Sequence, residues 1–116
     1  MAVAGAQQSI TQALLTWENV QVAPHRFGGV EYRLGSRELG HIHGDHMLDI
    51  PFPKKVRDEV VANGHASPHH LLPDTGWVSL YLRQPEDVNT ALELLQRSYQ
   101  IGLAQPLCPE RPQQAM

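Results

Sequence analysis

Val30-Glu31-Tyr32-Arg33-Leu34-Gly35-Ser36-Arg37-Glu38-Leu39-Gly40-His41-Ile42-His43 reads as two β-strands around a tight turn. Gly35-Ser36 suits a two-residue hairpin loop with glycine first, where positive φ carries no Cβ clash. If that loop closes, Leu34 lies opposite Arg37, Arg33 opposite Glu38, Tyr32 opposite Leu39 and Val30 opposite His41. One face then carries Glu31, Arg33 and Glu38, with a cross-strand Arg33–Glu38 pair, and reads as the solvent face. The other carries Val30, Tyr32, Leu34, Leu39, His41 and, by alternation, His43, so both histidines are expected to turn inward. A three-residue loop would reverse this, because a one-residue slip moves every side chain to the opposite face.

Downstream, Gly44-Asp45 begins a turn, and Met47 to Ile50 forms a short strand that Pro51 ends. Pro53 suits the first turn of a helix to about Asn63, with Val56, Val60 and Val61 on its apolar side and Asn63-Gly64 as its stop. His65 to Leu72 reads as loop or irregular strand. Asp74-Thr75-Gly76 leads into a strand whose Val78, Leu80 and Leu82 form an apolar face, with Trp77, Ser79 and Tyr81 on the other. Pro85-Glu86-Asp87 opens a last helix, with Val88, Ala91, Leu92, Leu95 and Tyr99 at core spacing and Gly102 closing it. Upstream, Ser9-Ile10-Thr11-Gln12 reads as a capping box for a helix to about Trp17, followed by a short strand at Val20 and Val22. This order predicts an α+β fold, an antiparallel sheet with helices packed on one side, as a single domain over residues 9–103. Residues 1–8 are assigned to a flexible N-terminus and the Pro/Gln-rich 104–116 to a disordered tail.

Apolar residues are 41% of the chain, enough for one core without metal or disulfide support. The single cysteine, Cys108, excludes an internal disulfide framework and, in the tail, is a poor nucleophile. Twelve acidic against nine basic residues, with no basic cluster beyond Lys54, Lys55 and Arg57, argue against nucleic acid as a partner. No apolar run approaches the roughly 20 residues of a membrane span, and the start lacks a basic n-region, so a cytoplasmic location is expected. Neither a Gly-x-Ser-x-Gly elbow nor a glycine-rich phosphate loop is present, which leaves no flavin or nucleotide motif.

The chemistry concentrates between His41 and Asp49, where three histidines and two aspartates occupy nine positions. His41-x-His43 places two imidazoles on one strand face, a spacing that suits a first-row metal ion, and His46 and Asp49 can add ligands after the turn. Alternation accounts for only two such ligands, so a metal-free pocket is favoured over a metal held by His41 and His43. The simpler alternative is a pair of half-buried core histidines. His69 and His70 would point oppositely in extended chain, so at most one is expected to join. Trp77 and Tyr81 can floor a pocket, although aromatic strand residues more often only pack. The expected site is therefore a polar pocket drawn from His41, His43, Asp45, His46 and Trp77, with either His69 or His70 at its edge. It would bind a small ligand or a metal and, on one version, act as a catalyst. A regulatory module that binds protein or, less favoured, DNA is the alternative.

Pro24-His25-Arg26-Phe27-Gly28-Gly29-Val30-Glu31, Glu38-Leu39-Gly40-His41-Ile42-His43-Gly44-Asp45, Asp49-Ile50-Pro51-Phe52-Pro53, Pro68-His69-His70 and Gly76-Trp77-Val78 together resemble a family of small bacterial and fungal proteins labelled "luciferase domain". The resemblance covers about residues 20–102. It implies one domain centred on the His41/His43 stretch and carries over no reaction, cofactor or substrate. Gly76-Trp77-Val78 and the helix ending Arg97-Ser98-Tyr99 are also similar to the C-terminal half of MmcQ/YjbR domains. That likeness implies a small α+β architecture and the DNA-binding version of the alternative.

Overall fold

The computed structural model describes residues 2–25 and 28–104; of the assigned tail Ala104 is described, in the last helix, and residues 105–116, Cys108 among them, lie outside the described residues. Six strands form one antiparallel sheet: β1 (Val20–Pro24), β2 (Val30–Leu34), β3 (Arg37–His43), β4 (Met47–Pro51), β5 (Ser67–Pro68) and β6 (Trp77–Tyr81). Their spatial order is β1-β2-β3-β4-β6-β5. Three helices, α1 (Ala6–Leu14), α2 (Lys54–Ala62) and α3 (Pro85–Ala104), pack on one side of it. The α+β fold with a one-sided helical layer is thus the one expected.

Alternation explains the layer. Tyr32, Ile42, Leu48, Ile50, Val78 and Leu80 project from consecutive strands into a core closed by Ile10, Leu14, Val60, Leu94 and Leu95 from the helices. Each fully buried aliphatic side chain contributes roughly 1.5–3 kcal/mol. On α3 the buried positions Ala91, Leu94, Leu95, Ser98, Tyr99 and Gly102 follow the three-four spacing of a helix face.

The hairpin departs from expectation at one residue. Its turn closes as anticipated, with Leu34 opposite Arg37 and Arg33 opposite Glu38. The register then shifts, so that Tyr32 faces Gly40, Glu31 faces His41 and Val30 faces Ile42. Leu39 is the extra residue of a β-bulge, and it remains in the core. Its carbonyl accepts a 2.9 Å hydrogen bond from the buried Ser98 hydroxyl of α3. Gly40 passes so close to α3 that a Cβ would stand 3.0 Å from a Leu95 methyl. Beyond the bulge the faces exchange. His41 and His43 therefore lie on the side opposite the helices, which corrects the expected placement of His41 beside Val30 and Tyr32 in the core.

One further correction is local, and one open reading is resolved. α1 starts at Ala6 rather than at a Ser9 capping box, because Asp45 supplies the cap. Its carboxylate accepts from the Gly5 and Gln7 backbone N–H groups at 3.1 and 2.9 Å. The segment after α2 adds a two-residue edge strand, with Ser67 opposite Ser79 and Pro68 opposite Val78.

Candidate functional site

Register across the helix-free face sets the site. His41 on β3 is opposite Asp49 on β4, and Asp49 is opposite Ser79 on β6. Asp49 is 1% exposed, the one charged side chain in a strand that otherwise reads Met-Leu-x-Ile-Pro. An ionised carboxylate so placed requires hydrogen bonds or counter-charge. The Ser79 hydroxyl donates to Oδ1 at 2.6 Å. Four imidazole Nε2 atoms face Oδ2: His43 at 3.0 Å, His41 at 3.3 Å, His69 at 3.4 Å and His70 at 3.6 Å.

The bulge makes the next contact possible. Without it Glu38 and His41, three residues apart, would lie on opposite faces; with it they share one, and His41 Nδ1 lies 2.6 Å from Glu38 Oε2. A carboxylate can only accept, so the proton sits on Nδ1 and His41 donates. His25 stacks on the other side of the His41 ring, centroids 4.0 Å apart and planes at 11°. The turn that brings it there depends on Gly29, at φ 78, where a Cβ would come within 2.0 Å of the Ile42 carbonyl oxygen. Glu31 accepts from Arg33 and pairs with His25 at 3.3 Å. Trp77 closes the opposite flank, its ring 5.4 Å from His41 and 5.9 Å from His69.

His69 holds its own loop. Its Nδ1 accepts the backbone N–H groups of Leu71 and Leu72, both at 3.1 Å, while its ring stacks on His70 at 4.3 Å. The chain here curls rather than extends, so His69 and His70 both reach Asp49, which overturns the expectation that at most one would join.

Electrostatics follow from these contacts. Burial penalises the Asp49 charge, but hydrogen bonds from His41 and Ser79, reinforced by His69 and His43, hold its carboxyl well below the usual carboxylate range. Burial also opposes charge on His41, yet its bonds to Asp49 and Glu38 push its pKa up to about 9. His69 moves the other way, lowered by burial and by the neighbouring His70 and His41, against the pull of Asp49.

Of the residues expected at the site, the fold brings together His41, His43, His69, His70 and Trp77. Asp45 is committed to α1, and exposed His46 borders a shallow crevice of about 390 Å³ shared with His43 and His70. Glu38, His25 and Ser79 were not anticipated, and Asp49, named only as an additional ligand, is the hub. The strand pattern held one signal for it: a carboxylate in phase with Met47 and Pro51 along an apolar stretch.

Among the described residues, two sets place potential ligand atoms within 4.8 Å of one another, His41/His43/Asp49 and Asp49/His69/His70. Fold and cluster together define a small α+β domain with a buried His/Asp site on the helix-free face of its sheet. The chain belongs to the Luciferase domain family, whose sequence model matches residues 36–98, more than half of its length and all of the cluster except His25. No curated protein and no solved structure matches it. Among the described residues, no helix is long and apolar enough to cross a membrane.

Proposed function

We propose that the cluster binds a divalent first-row transition ion through His41 Nε2, His43 Nε2 and Asp49 Oδ2, and that a small ligand binds at the positions left open. The observation that carries this reading is the Glu38–His41 contact. A carboxylate on the Nδ1–H of a histidine fixes its tautomer and aims its Nε2 lone pair at a metal, the arrangement found behind ligating histidines. Nε2-to-Oδ2 separations of 3.0 and 3.3 Å agree with the edges of a polyhedron around an ion about 2.0–2.2 Å from each ligand. Two histidines and one carboxylate leave coordination positions free, as in catalytic rather than purely structural centres.

The second set is less suited. His69 Nδ1 accepts two backbone N–H bonds, so its ring proton is on Nε2, and ligation there would sacrifice both bonds.

A competing reading, a metal-free polar pocket, draws on the raised pKa of His41, since an imidazolium between Glu38 and Asp49 already satisfies both carboxylates. Elemental analysis of protein purified without a His tag separates the two. We expect about one ion per chain in the wild type and none in the His41→Ala/His43→Ala double variant. Equal, substoichiometric metal in both would end the metal reading.

A further inference from the structure

Two imidazoles of the cluster, His43 and His70, also border the crevice beside Gly29, Gly44 and His46, and His69 lies behind it, stacked on His70. We infer that the open side of the centre takes a small anionic ligand, and that His69 Nε2–H donates a hydrogen bond to its negatively charged atom, an assignment that rests on the metal reading above.

Three observations carry it. First, the donor is fixed. With Nδ1 accepting from Leu71 and Leu72, the ring proton can only be on Nε2, which points into the cluster. Second, that donor is not fully engaged. Asp49 Oδ2 is 3.4 Å away, longer than an ordinary N–H···O bond, and already lies 3.0 Å from His43. Third, the approach is lined by three imidazoles and no carboxylate. A cationic ligand would find no counter-charge there, because Asp49 faces the ion and Glu38 is bonded to His41. Asp49 cancels one of the two charges of a divalent ion and Glu38, bonded to the far nitrogen of His41, offsets the other from behind, so the open side of the ion faces imidazoles only.

The test uses the full chain loaded with cobalt(II), with azide as the probe anion, followed by the visible spectrum of the metal. His69→Asn is the informative variant. The asparagine carbonyl can accept the N–H groups two and three residues on, which preserves the loop, while the distal donor is lost. We expect wild-type cobalt stoichiometry at saturating metal and a lowered Tm from loss of the buried ring and its stack on His70, with azide affinity weaker by about 10- to 100-fold. His70→Glu, at an exposed position, provides a second arm that does not depend on the folding of the first. A carboxylate in the crevice should lower azide affinity at least about 10-fold. Loss of cobalt from His69→Asn would make His69 a ligand and overturn the assignment. So would wild-type azide affinity in either variant, or no azide binding by the cobalt-loaded wild type. If the wild type takes up no cobalt, the metal reading itself has failed; that outcome is read before any azide is added.

Discussion

Ser79 Oγ donates to Asp49 Oδ1 at 2.6 Å across the β4–β6 pair, and this contact determines which carboxylate oxygen is left for the histidines. Ser79 is fully buried, so Ser79→Ala would strand Oδ1 without water to replace the hydroxyl. We expect a loss of about 1–3 kcal/mol in urea unfolding. Zinc affinity should fall roughly 10- to 100-fold, because Asp49 would be free to rotate. An unchanged zinc dissociation constant would reduce Ser79 to packing.

Glu38 acts through His41 rather than on the ion. Glu38→Gln keeps an oxygen acceptor but removes the charge that holds the Nδ1 proton. Ion stoichiometry at saturating zinc should be retained while the dissociation constant, measured by chelator competition, rises about 10-fold or more. A variant that binds zinc as tightly as the wild type would dissociate this carboxylate from the site.

Proton and metal compete for the same nitrogen, so pH acts oppositely on the two forms. In metal-free protein the folded pKa of His41, about 9, exceeds its unfolded value near 6.5. Its contribution is complete below the unfolded pKa and is lost as pH rises through about 9. Asp49, with a depressed folded pKa, contributes above the ordinary carboxylate range and loses that contribution as pH falls through it. With EDTA present, Tm should therefore decline from about pH 6.5 to about pH 9. The increment in Tm produced by zinc should instead grow over the same interval. A zinc increment independent of pH would place the ion elsewhere.

Gly29→Ala should be among the costliest single changes on the sheet. Its φ of 78 disfavours any Cβ, and that atom would come within 2.0 Å of the Ile42 carbonyl oxygen. A loss of at least about 2–3 kcal/mol is expected, read as a lowered Tm. The same variant should lose the His25–His41 stack, seen as a shift of their ring resonances in NMR spectra.

Elements with a strong local period were legible in the sequence. α3 shows its three-four spacing from Ala91 to Gly102, and in β6 Val78 and Leu80 alternate with Trp77, Ser79 and Tyr81, so helix, strand and inward face all follow from residue type. The side on which His41 lies did not follow, because the bulge at Leu39 depends on partners far along the chain. Ser98, 59 residues on, takes the Leu39 carbonyl, and Leu95 packs where Gly40 lacks a side chain. Within β3 the pattern before the bulge is out of phase with the pattern after it, and one assumed phase must misplace one half. The curl at His69 escaped notice for a related reason: the side chain itself, bonded to Leu71 and Leu72, replaces the turn-forming residue that would have announced it.

The cap on α1 comes from the turn between β3 and β4, with Asp45 reaching back 40 residues to Gly5 and its backbone carbonyl taking the Val3 N–H. A nine-residue helix without a cap of its own is marginal in isolation. We therefore expect assembly to have a direction. The β3–β4 hairpin closes first from short-range contacts, and the beginning of the chain docks onto it afterwards. In pulse-labelled hydrogen exchange, amides of α1 should gain protection after those of β3 and β4. Simultaneous protection would mean that the ends of this circuit form together. The turn that follows His43 would then serve as the latch for the first helix, and a late-forming helix would report whether the strands beneath it are already in register.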